Sequence, residues 1–467
     1  MKIFKLKSKY KKILADTLSP VSIYMKIRDV FSNSLLLESS EYNQNNKNFS
    51  YICCNPIASI QIKKNQLVTQ YPDGKKLVEN ISKDANITDK IHSFSQQFKV
   101  KDYPFKFISN GLFGYIAHDA IEYFENIKLD ETKGSHEIPD LYYAIYQNVI
   151  AISLFNHEAH IFSHTYNTSH NIGMISQLLQ NNHLSTFKFK KVGNKNSNLT
   201  DNQFINFVIK AKEHCQRGDV FQLVLSRSFS QKFHGDEFNV YRSLRSINPS
   251  PYLFFFDYGN FKIFGSSPEA QLIIENNMAE IHPIAGTFRR TGDDKKDAKS
   301  ALKLAKDPKE NSEHIMLVDL ARNDLSRNGS NVVVEKNREI QFFSHVIHLV
   351  SKVTCLLKRD VNSFQVVADT FPAGTLSGAP KHSALKLIDQ YEKTKRNFYG
   401  GAIGYMDFNG NFNHAIIIRS FLSKNQELNY QAGAGIVADS VPKSELQEVY
   451  NKLGALDNAL KNAEEII

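Results

Sequence analysis

The sequence has no tryptophan, little cysteine and no apolar run long enough to cross a membrane. A transmembrane helix needs about 20 apolar residues, whereas the longest apolar runs here, such as 252–256, have the length of a strand. No apolar segment follows the basic N-terminus, as a secretory signal would require. The cysteines form no CxxC motif and no zinc-type spacing with histidine: Cys53, Cys54, Cys215 and Cys355. These absences predict a reduced, cytoplasmic protein without a membrane span or a structural metal.

The composition is that of an ordinary globular chain. Of 467 residues, 42% are apolar and 22% are charged, which excludes a collagen, a disordered chain and a coiled coil. The length corresponds to roughly three domains. Lys and Arg number 57 against 48 Asp and Glu, a net charge of +9. This mild excess allows an anionic substrate or an acidic partner, but it does not indicate nucleic acid.

Strand-like and helical segments alternate irregularly along the chain. Aromatic and β-branched residues predict strands at 35–38, 60–71 and 141–155, and YPDG at 71–74 predicts a turn. Residues 180–200 are polar and without a clear period, so they are the best candidate for a linker or a surface connection.

The second half begins with a helical period at 202–219, where Gly218 suits the C-terminal end of a helix. Regular alternation of strands and helices is missing, which argues against a doubly wound parallel sheet. The pattern predicts an α+β chain with large, mostly antiparallel β-sheets.

Two predicted amphipathic helices begin with paired carboxylates. In the first, Asp307 is a candidate N-cap and Pro308 the first helical residue; in the second, Pro442 marks the start. Each start carries two glutamates three residues apart: Glu310 and Glu313 in the first helix, Glu445 and Glu448 in the second. Acids near a helix N-terminus commonly just favour the helix dipole. Two such pairs brought together would also suit Mg²⁺, which prefers oxygen ligands.

Two small-residue segments are candidates for binding an anion through backbone N–H groups. Gly433 and Gly435, within 432–439, form either such a cradle or a tight turn. In GTLSGAPK, Ser377 is a plausible helix N-cap and Pro380 a first-turn residue.

Single charged and titratable residues complete the candidate site. Arg419 follows a buried-looking run and suits either a salt bridge or bidentate capture of a carboxylate. His348 and His345 are equally placed candidates for a base, and either is more commonly a core residue. Together these residue types predict an Mg²⁺-dependent enzyme that acts on a carboxylate.

Seven segments in order resemble the chorismate-utilising enzyme family, and within it the branch that forms anthranilate: 283–292, 307–327, 348–353, 371–381, 399–411, 415–420 and 431–445. The resemblance implies that family's α+β fold, with large antiparallel sheets flanked by helices. It also implies an N-terminal regulatory region at 1–180 with a tryptophan-binding segment, and a chorismate-binding catalytic domain at 200–467.

The resemblance implies a lyase reaction at the start of tryptophan biosynthesis. Ammonia adds at C2 of chorismate while the C4 hydroxyl leaves, and the resulting aminodeoxyisochorismate loses pyruvate to give anthranilate. The family uses Mg²⁺ and takes its ammonia from a glutamine amidotransferase subunit. No GxCxG glutaminase segment surrounds any cysteine of this chain, so a separate amidotransferase partner is expected, and neither nucleic acid nor membrane is expected as a partner.

The family's site residues carry over by position. Glu313 and Glu448 match its Mg²⁺ ligands, with Glu310 and Glu445 beside them as ligands or support. Glu269 matches the acid that protonates the leaving hydroxyl, and the resemblance selects His348 over His345 as the base for the C2 proton. The remaining matches are Tyr399 and Arg419 for the enolpyruvyl carboxylate, and the substrate cradle of Gly286, Thr287, Thr375, Gly433, Ala434 and Gly435, of which Thr375 is also expected to be catalytic.

Two positions distinguish the branches of the family. Aminodeoxychorismate synthases, which make the para isomer, carry a nucleophilic lysine where this chain has Ala285. Isochorismate and salicylate synthases activate water with a lysine where this chain has Gln222. A methyl group cannot attack C2 and an amide cannot act as a base, so both positions favour direct attack by ammonia. A basic binding protein on an inactive enzyme fold is the alternative from another class.

The resemblance also implies feedback inhibition by tryptophan at a remote pocket. The family builds that pocket from an LLES segment and a PYM segment, which here read 36–39, ending in Ser39, and Pro251, Tyr252 and Leu253. Ser39 would bond the polar end of the amino acid, and the other three would wall the indole. A purely structural strand is the simpler interpretation for the leucines.

Overall fold

The structure, a computed structural model, describes residues 2–39, 49–82, 85–181, 183–342, 346–359 and 361–466. His345 and the side chain of Thr287 lie outside the described part. The strands are β1 (Phe4–Lys5), β2 (Lys7–Leu14), β3 (Leu35–Glu38), β4 (Phe49–Lys63), β5 (Gln66–Gln70), β6 (Lys76–Asn80), β7 (Phe98–Lys99), β8 (Gly111–Ile116), β9 (Leu141–Ser153), β10 (Glu158–Thr165), β11 (Phe189–Ser197), β12 (Gln222–Gly235), β13 (Tyr252–Asp257), β14 (Lys262–Ser267), β15 (Ala270–Glu275), β16 (Met278–Ile281), β17 (Ile284–Arg289), β18 (Gly329–Phe342), β19 (Val346–Leu357), β20 (Gly378–Ala379), β21 (Ala402–Asp407), β22 (Phe412–Ile416), β23 (Ser420–Lys424) and β24 (Glu427–Ile436).

The α-helices are α1 (Pro20–Arg28), α2 (Ile87–Ser95), α3 (Ile172–Gln180), α4 (Asp201–Arg217), α5 (Phe238–Ile247), α6 (Asp294–Lys306), α7 (Pro308–Ser326), α8 (Ser363–Thr370), α9 (Gly374–Ser377), α10 (Lys381–Tyr391) and α11 (Pro442–Asn462). Short 3₁₀ turns occur at His118–Tyr123 and Ala463–Glu465. Within the described ranges, no helix is both long and apolar enough to span a membrane.

Apart from β1 and β7, which pair with each other in parallel, the described strands form one antiparallel network with two arms that start from the long β4–β9 pair. From β4, pairing runs through β3, β13, β14, β23 and β24 to β12, which also pairs with β11 and β20. From β9, pairing runs through β8, β21, β22, β15 and β16 to β19, which also pairs with β17 and β18. The α+β class with large antiparallel sheets is confirmed.

Central strands are buried on both faces, since all residues of β8 and all but one of β9 and of β14 are buried. In β12 and β24 the residues that face α4, α10 and α11 are apolar, and Leu453 and Leu456 of α11 are fully buried against them. The amphipathic stripe predicted for this helix is therefore the side that packs on the sheet, and its start at Pro442 is confirmed. The polar face of its first turn is left for the cleft.

Local signals place other helix ends correctly. Asp307 accepts a 3.1 Å hydrogen bond from the backbone N–H of Glu310, so it caps α7, and Pro308 is the first helical residue. Gly218 ends α4 with φ +83°, in the left-handed region that glycine adopts without a steric penalty. The turn at 71–74 closes with a 3.0 Å bond from Gly74 N–H to the carbonyl of Tyr71.

Three local predictions are wrong. Residues 189–197 are not a linker, because they form β11 and pair with the outer end of β12. Ser377 is not an N-cap: it ends the short α9, and its hydroxyl donates 3.1 Å to the carbonyl of Ala373. Pro380 precedes the first residue of α10 as its N-cap rather than lying in its first turn.

The glycine-rich segment at 432–439 is also no tight turn at its start. Gly433 and Gly435 lie inside β24, which continues to Ile436. They pair with Ser226 and Val224 of β12.

Candidate active site

The floor of the cleft is the β12–β24 pair, where glycine keeps the surface open. A Cβ atom on Gly433 would lie 2.8 Å from the carbonyl of Leu225 and 3.2 Å from the Tyr399 hydroxyl. A Cβ atom on Gly435 would lie 2.6 Å from the amide of Gln222. Side chains at both positions would meet neighbouring atoms, so only glycine leaves the strand accessible from the cleft. The structure therefore gives the predicted cradle of Gly433, Ala434 and Gly435 the form of a flat strand.

The segments that carry Glu269 and Arg419 are adjacent because β15 pairs with β22, and the charge of Arg419 acts on Glu269. Glu269 immediately precedes β15, and Arg419 follows β22, the antiparallel neighbour of β15; the carbonyl of Glu269 accepts a 3.0 Å bond from Ile416 N–H. Arg419 has φ +48°, an unusual left-handed conformation for a side-chain-bearing residue. Among the described residues, no side chain pairs with its guanidinium, and burial lowers its pKa.

Glu269 is a buried carboxyl poised near neutrality. Burial raises its pKa to about 7, while the hydrogen bond from Thr375 and the positive charges of Arg419 and Lys452 oppose the rise. The Thr375 hydroxyl donates 3.0 Å to Glu269 Oε1. A carboxyl with such a pKa is partly protonated at neutral pH and can serve as a general acid. The structure thus brings Thr375, predicted as a cradle and catalytic residue, into contact with the carboxyl of Glu269.

His348 lies on β19 with an orientation set by the backbone. Its Nδ1 is 3.0 Å from the carbonyl of Gly286, so that nitrogen carries the proton and Nε2 is the basic atom. Burial, together with the charge of Arg419, lowers the pKa of His348 to about 4, while the hydrogen bond to the Gly286 carbonyl opposes the fall. The imidazole is therefore neutral at physiological pH and able to accept a proton.

Gly286 shapes this part of the cleft through an irregularity between β17 and β19. It has φ +67°, and the pairing register shifts between Ala285 and Thr287. A Cβ atom there would lie 2.8 Å from Leu304 and 3.1 Å from a carboxylate oxygen of Glu310. Glycine thus lets the strand carrying the His348 acceptor approach the first acidic helix.

Two of the four predicted metal-binding glutamates lie at the glycine strand: Glu313 beside Gly435, and Glu448 through its ion pair with Lys452. The amide of Gln222 donates 2.8 Å to Glu313 Oε1, and this oxygen would lie 3.6 Å from a Cβ atom on Gly435. Across the cleft, Lys452 forms a 2.7 Å ion pair with Glu448 and donates 2.9 Å to the carbonyl of Gly433. The remaining two are Glu310, beside Gly286, and Glu445, which is buried in the first turn of α11.

The donor set fits Mg²⁺ as a half-protein site. All four side chains offer carboxylate oxygens, the ligands that Mg²⁺ prefers, and they come from the first turns of two helices. Within the part of the chain that the structure describes, no three acidic, histidine or cysteine side chains converge into a complete cage. An ion here would need oxygens from water or from a substrate.

Tyr399 closes the cradle from above. It is 4% exposed, and its hydroxyl bonds the backbone of Gly433. Burial raises its pKa, so the hydroxyl stays protonated and can donate to an anion. The charge of Glu448 also acts on it, which brings the predicted carboxylate binder and the predicted metal ligand to one place.

Sequence reasoning missed several residues that build this site. Lys452, on the third turn of α11, links Glu448 to the glycine strand. Arg396 and Glu392 form a fully buried ion pair behind Tyr399. The only sequence signal for these residues was their i, i+4 spacing, which on helices is usually a solvent-exposed pair.

The segments predicted to bind tryptophan are neighbours in the sheet. β3 pairs with β13, with Glu38 opposite Leu253. Ser39 follows β3 and is partly exposed, and Pro251, which precedes β13, is buried. Glu38 is itself buried and accepts bonds from Tyr241 at 2.6 Å and Arg245 at 2.9 Å.

Comparison with known proteins gives a consistent result. The chorismate binding enzyme family matches residues 32–458. Component 1 of anthranilate synthase from Aquifex aeolicus is 35% identical over 98% of this chain and 95% of that protein. The same component from Lactococcus lactis is 36% identical over 96% and 98%.

Solved structures agree on the fold. Anthranilate synthase component I from Streptococcus pneumoniae superposes with a TM-score of 0.74 at 30% identity, covering 95% of this chain and 98% of that one. A menaquinone-specific isochorismate synthase from Escherichia coli reaches 0.73 at 17% identity over 98% and 96% of the two chains, which shows the shared fold alone. The chain therefore belongs to the chorismate-binding enzyme family, and within it to the group of anthranilate synthase component 1 chains.

Proposed function

We propose that this chain converts chorismate and ammonia to anthranilate and pyruvate through aminodeoxyisochorismate, in the cytoplasm, at the first step of tryptophan biosynthesis. One observation carries the proposal. Arg419 acts electrostatically on both Glu269 and His348, so a carboxylate-binding cation, a protonated acid and a neutral base share one cleft. Such oppositely shifted titratable groups are typical of a site that performs acid and base chemistry.

Chorismate carries two carboxylates, and the cleft offers a place for each. Arg419 and the Tyr399 hydroxyl are suited to the enolpyruvyl carboxylate, because a guanidinium fork binds a carboxylate through two parallel bonds. The ring carboxylate would lie toward Glu313 and Glu448, where a bound Mg²⁺ would neutralise it. When bound, the ion would withdraw electrons from the ring and assist departure of the hydroxyl.

The acid and the base act at different steps. Glu269, held by Thr375, donates its proton to the C4 oxygen, the C4–O bond breaks and water leaves while ammonia bonds C2. His348 Nε2 then takes the C2 proton as the enolpyruvyl group departs as pyruvate and the ring becomes aromatic. Burial supports both roles, since it favours the uncharged form of each side chain.

Ammonia is the nucleophile that the residues support best. Ala285 offers no amine, and the amide of Gln222 is held against Glu313, where it cannot accept a proton from water. Isochorismate formation and formation of the para isomer through a lysine therefore lack their key group. No further candidate function is favoured by a specific observation.

We expect the ammonia to come from a separate glutamine amidotransferase subunit. A glutaminase needs a reactive thiolate, whereas Cys53, Cys54 and Cys355 are buried and burial raises the pKa of each. Burial also raises the pKa of Cys215 on α4. The matched relatives are called component 1, a name that implies a second component.

The first prediction tests the reaction and its nitrogen source. The purified chain with chorismate, Mg²⁺ and an ammonium salt should form fluorescent anthranilate, and chelation of the metal should abolish turnover. Glutamine should replace ammonium only after an amidotransferase subunit is added. Absence of anthranilate under these conditions would refute the proposed function, and glutamine use by the chain alone would refute the separate partner.

The second prediction concerns pH. Expressed per unit of unprotonated ammonia, the rate should be constant below pH about 7 and fall about tenfold per unit above it, because only protonated Glu269 donates. Thr375→Val removes a bond that favours the charged carboxylate, so the alkaline limb should move up by about one unit. If the fall in rate at alkaline pH occurs at the same pH in this variant as in wild type, a group other than Glu269 causes it.

The third prediction separates the two chemical steps. His348→Met lacks a base but keeps similar bulk, so it should consume chorismate and accumulate the aminated intermediate, with anthranilate formation reduced at least 100-fold. Chromatography of the reaction mixture measures both species. His234→Met, at an exposed position on β12, is the control and should match wild type. Equal loss of chorismate consumption would assign His348 to an earlier step.

Feedback inhibition by tryptophan is also part of the proposal. Pairing of β3 with β13 puts Ser39 and the wall residues Pro251, Tyr252 and Leu253 at the same end of this strand pair, which supports a shared pocket. Inhibition requires tryptophan to bind a less active state more tightly, by typically 1–3 kcal/mol. The ion pair between the buried Glu38 and the partly exposed Arg245 connects β3 to α5, so movement of β3 would be transmitted beyond the pocket.

The fourth prediction places the regulatory pocket. Ser39→Phe fills the proposed pocket, so the variant should keep near-normal activity and resist tryptophan by at least tenfold in concentration. Ser32→Phe, at an exposed turn before β3, should remain as sensitive as wild type. Anthranilate formation titrated with tryptophan decides the question, and a sensitive Ser39→Phe enzyme would place the pocket elsewhere.

A further inference from the structure

The most completely bonded side chain behind the cleft is Arg396, which is 2% exposed. Its Nε donates 2.9 Å to Glu392 Oε2, and its Nη2 donates 2.6 Å to Glu392 Oε1. The same guanidinium donates 2.6 Å to the carbonyl of Leu376 and 2.8 Å to the carbonyl of Val224. Its centre lies 5.8 Å from the centroid of the Tyr399 ring. Substrate cannot reach this group, so it acts through its partners.

Each partner of Arg396 adjoins a different part of the cleft. Leu376 follows Thr375, whose hydroxyl holds the acid Glu269. Val224 pairs with Gly435 in the glycine strand. The Tyr399 ring carries the hydroxyl that bonds the backbone of Gly433. One buried cation therefore fixes three surfaces that come from α9, β12 and the segment before β21.

Glu392 extends the same connection to the floor of the cleft. Its Oε1 accepts 2.8 Å from the N–H of Ser226 and 2.6 Å from the Ser226 hydroxyl. Ser226 pairs with Gly433, and its hydroxyl accepts 2.7 Å from the amide of Gln431. Every charge of the pair is thus satisfied by hydrogen bonds, which is what a buried ion pair requires.

Asn397, the residue after Arg396, connects the Arg396–Glu392 ion pair to the N-terminal half of the chain. Asn397 has φ +50°, and its N–H and its side-chain amide donate 3.0 and 2.8 Å to Asp119 Oδ2. The carbonyl of Asn397 accepts 2.6 Å from the N–H of His118. The loop between Arg396 and Tyr399 is therefore held at both ends, which limits how far the Tyr399 ring can move.

We propose that Arg396 is a positioning residue of the chorismate site, which sets the relative placement of Thr375, Tyr399 and the glycine strand from behind. The inference rests on the proposed function, because it concerns the same cleft. A guanidinium is needed for this task, since its planar fork reaches Glu392 and two carbonyls at once, whereas a lysine ammonium cannot span all three directions. Misplacement of binding groups by even about 1 Å reduces catalysis strongly.

Arg396→Lys tests the proposal because it keeps the charge and loses the fork. The KM for chorismate should rise at least fivefold and kcat/KM should fall at least tenfold. The alkaline limb of the pH profile should move up, in the direction of Thr375→Val, because the turn carrying Thr375 loses its anchor at Leu376. A change of stability alone would move neither the KM nor this limb.

Arg227→Lys is the matched control. Arg227 lies on β12, the strand that holds Val224 and Ser226, but next to Ser226 and so on the opposite face. Arg227 is 5% exposed, pairs with Asp201 at 2.6 Å and lies 4.9 Å from the Phe229 ring centroid, but its partners are outside the cleft. This variant should lower the unfolding temperature while KM and the pH limb stay within twofold and 0.2 units of wild type. If Arg396→Lys behaves like Arg227→Lys, Arg396 is merely structural and the proposal is overturned.

A double variant keeps the test decisive if Arg396→Lys fails to fold. Arg396→Met with Glu392→Gln removes both charges, so no uncompensated ion is buried, and such replacements commonly fold well. It should still show the raised KM and the shifted limb, and wild-type kinetics would overturn the proposal. Calorimetry of chorismate binding separates the two claims. Tight binding by wild type without anthranilate formation would refute the function, whereas equally tight binding by the variants would refute positioning by Arg396.

Discussion

The register of β12 against β24 is the constraint on which the site depends. Ten consecutive residue pairs, from Leu223–Ile436 to Lys232–Glu427, fix which side chains face the cleft. A slip of one residue would turn every side chain to the other face. It would place Ala434 where Gly433 or Gly435 now gives access to the backbone. A slip of β12 would also separate Ser226 from Glu392. The floor of the cleft and the Arg396–Glu392 ion pair behind it therefore depend on the same strand register.

Burial sets the charge states of the proposed acid and base without a dedicated charged partner for each. The same desolvation raises the pKa of Glu269 and lowers that of His348, because it disfavours the charged form of either. An acid and a base therefore coexist uncharged over the interval between about pH 4 and 7. The hydrogen bond from Thr375 limits the rise in the pKa of Glu269. The carbonyl of Gly286 accepts from His348 Nδ1 and so leaves Nε2 as the basic nitrogen.

Much of this arrangement was visible in the sequence, and the failures have physical causes. Helix starts such as Asp307–Pro308 and Pro442 were predictable because capping chemistry is local. Segment 189–197 looked like a linker because a polar edge strand has no apolar alternation to reveal it. Gly433 and Gly435 looked equally like a turn, since only the opposing strand shows why a Cβ atom is excluded.

The contacts behind the cleft were not predictable, because they join residues far apart in sequence. Arg396 reaches a carbonyl 172 positions away, and Asp119 reaches Asn397 across 278 positions. Such pairings depend on the full sheet topology and leave no local pattern. The proposed site residues follow mainly from the family resemblance, whereas residue types alone predict only a carboxylate substrate and a metal.

A comparison of Arg396 with Arg419 shows how its bonded partners determine what a buried cation can do. Arg396 is closed off from solvent and meets a full carboxylate and two carbonyls, so its charge is compensated within the protein and it can only hold structure. Arg419 is partly exposed to the cleft and, among the described residues, has no acid bound to it. Burial lowers its pKa, which means that its charge is held at a cost in free energy. A carboxylate entering the cleft removes that cost, and the gain is greatest for an anion placed where Glu269 stays protonated and does not compete for the same cation.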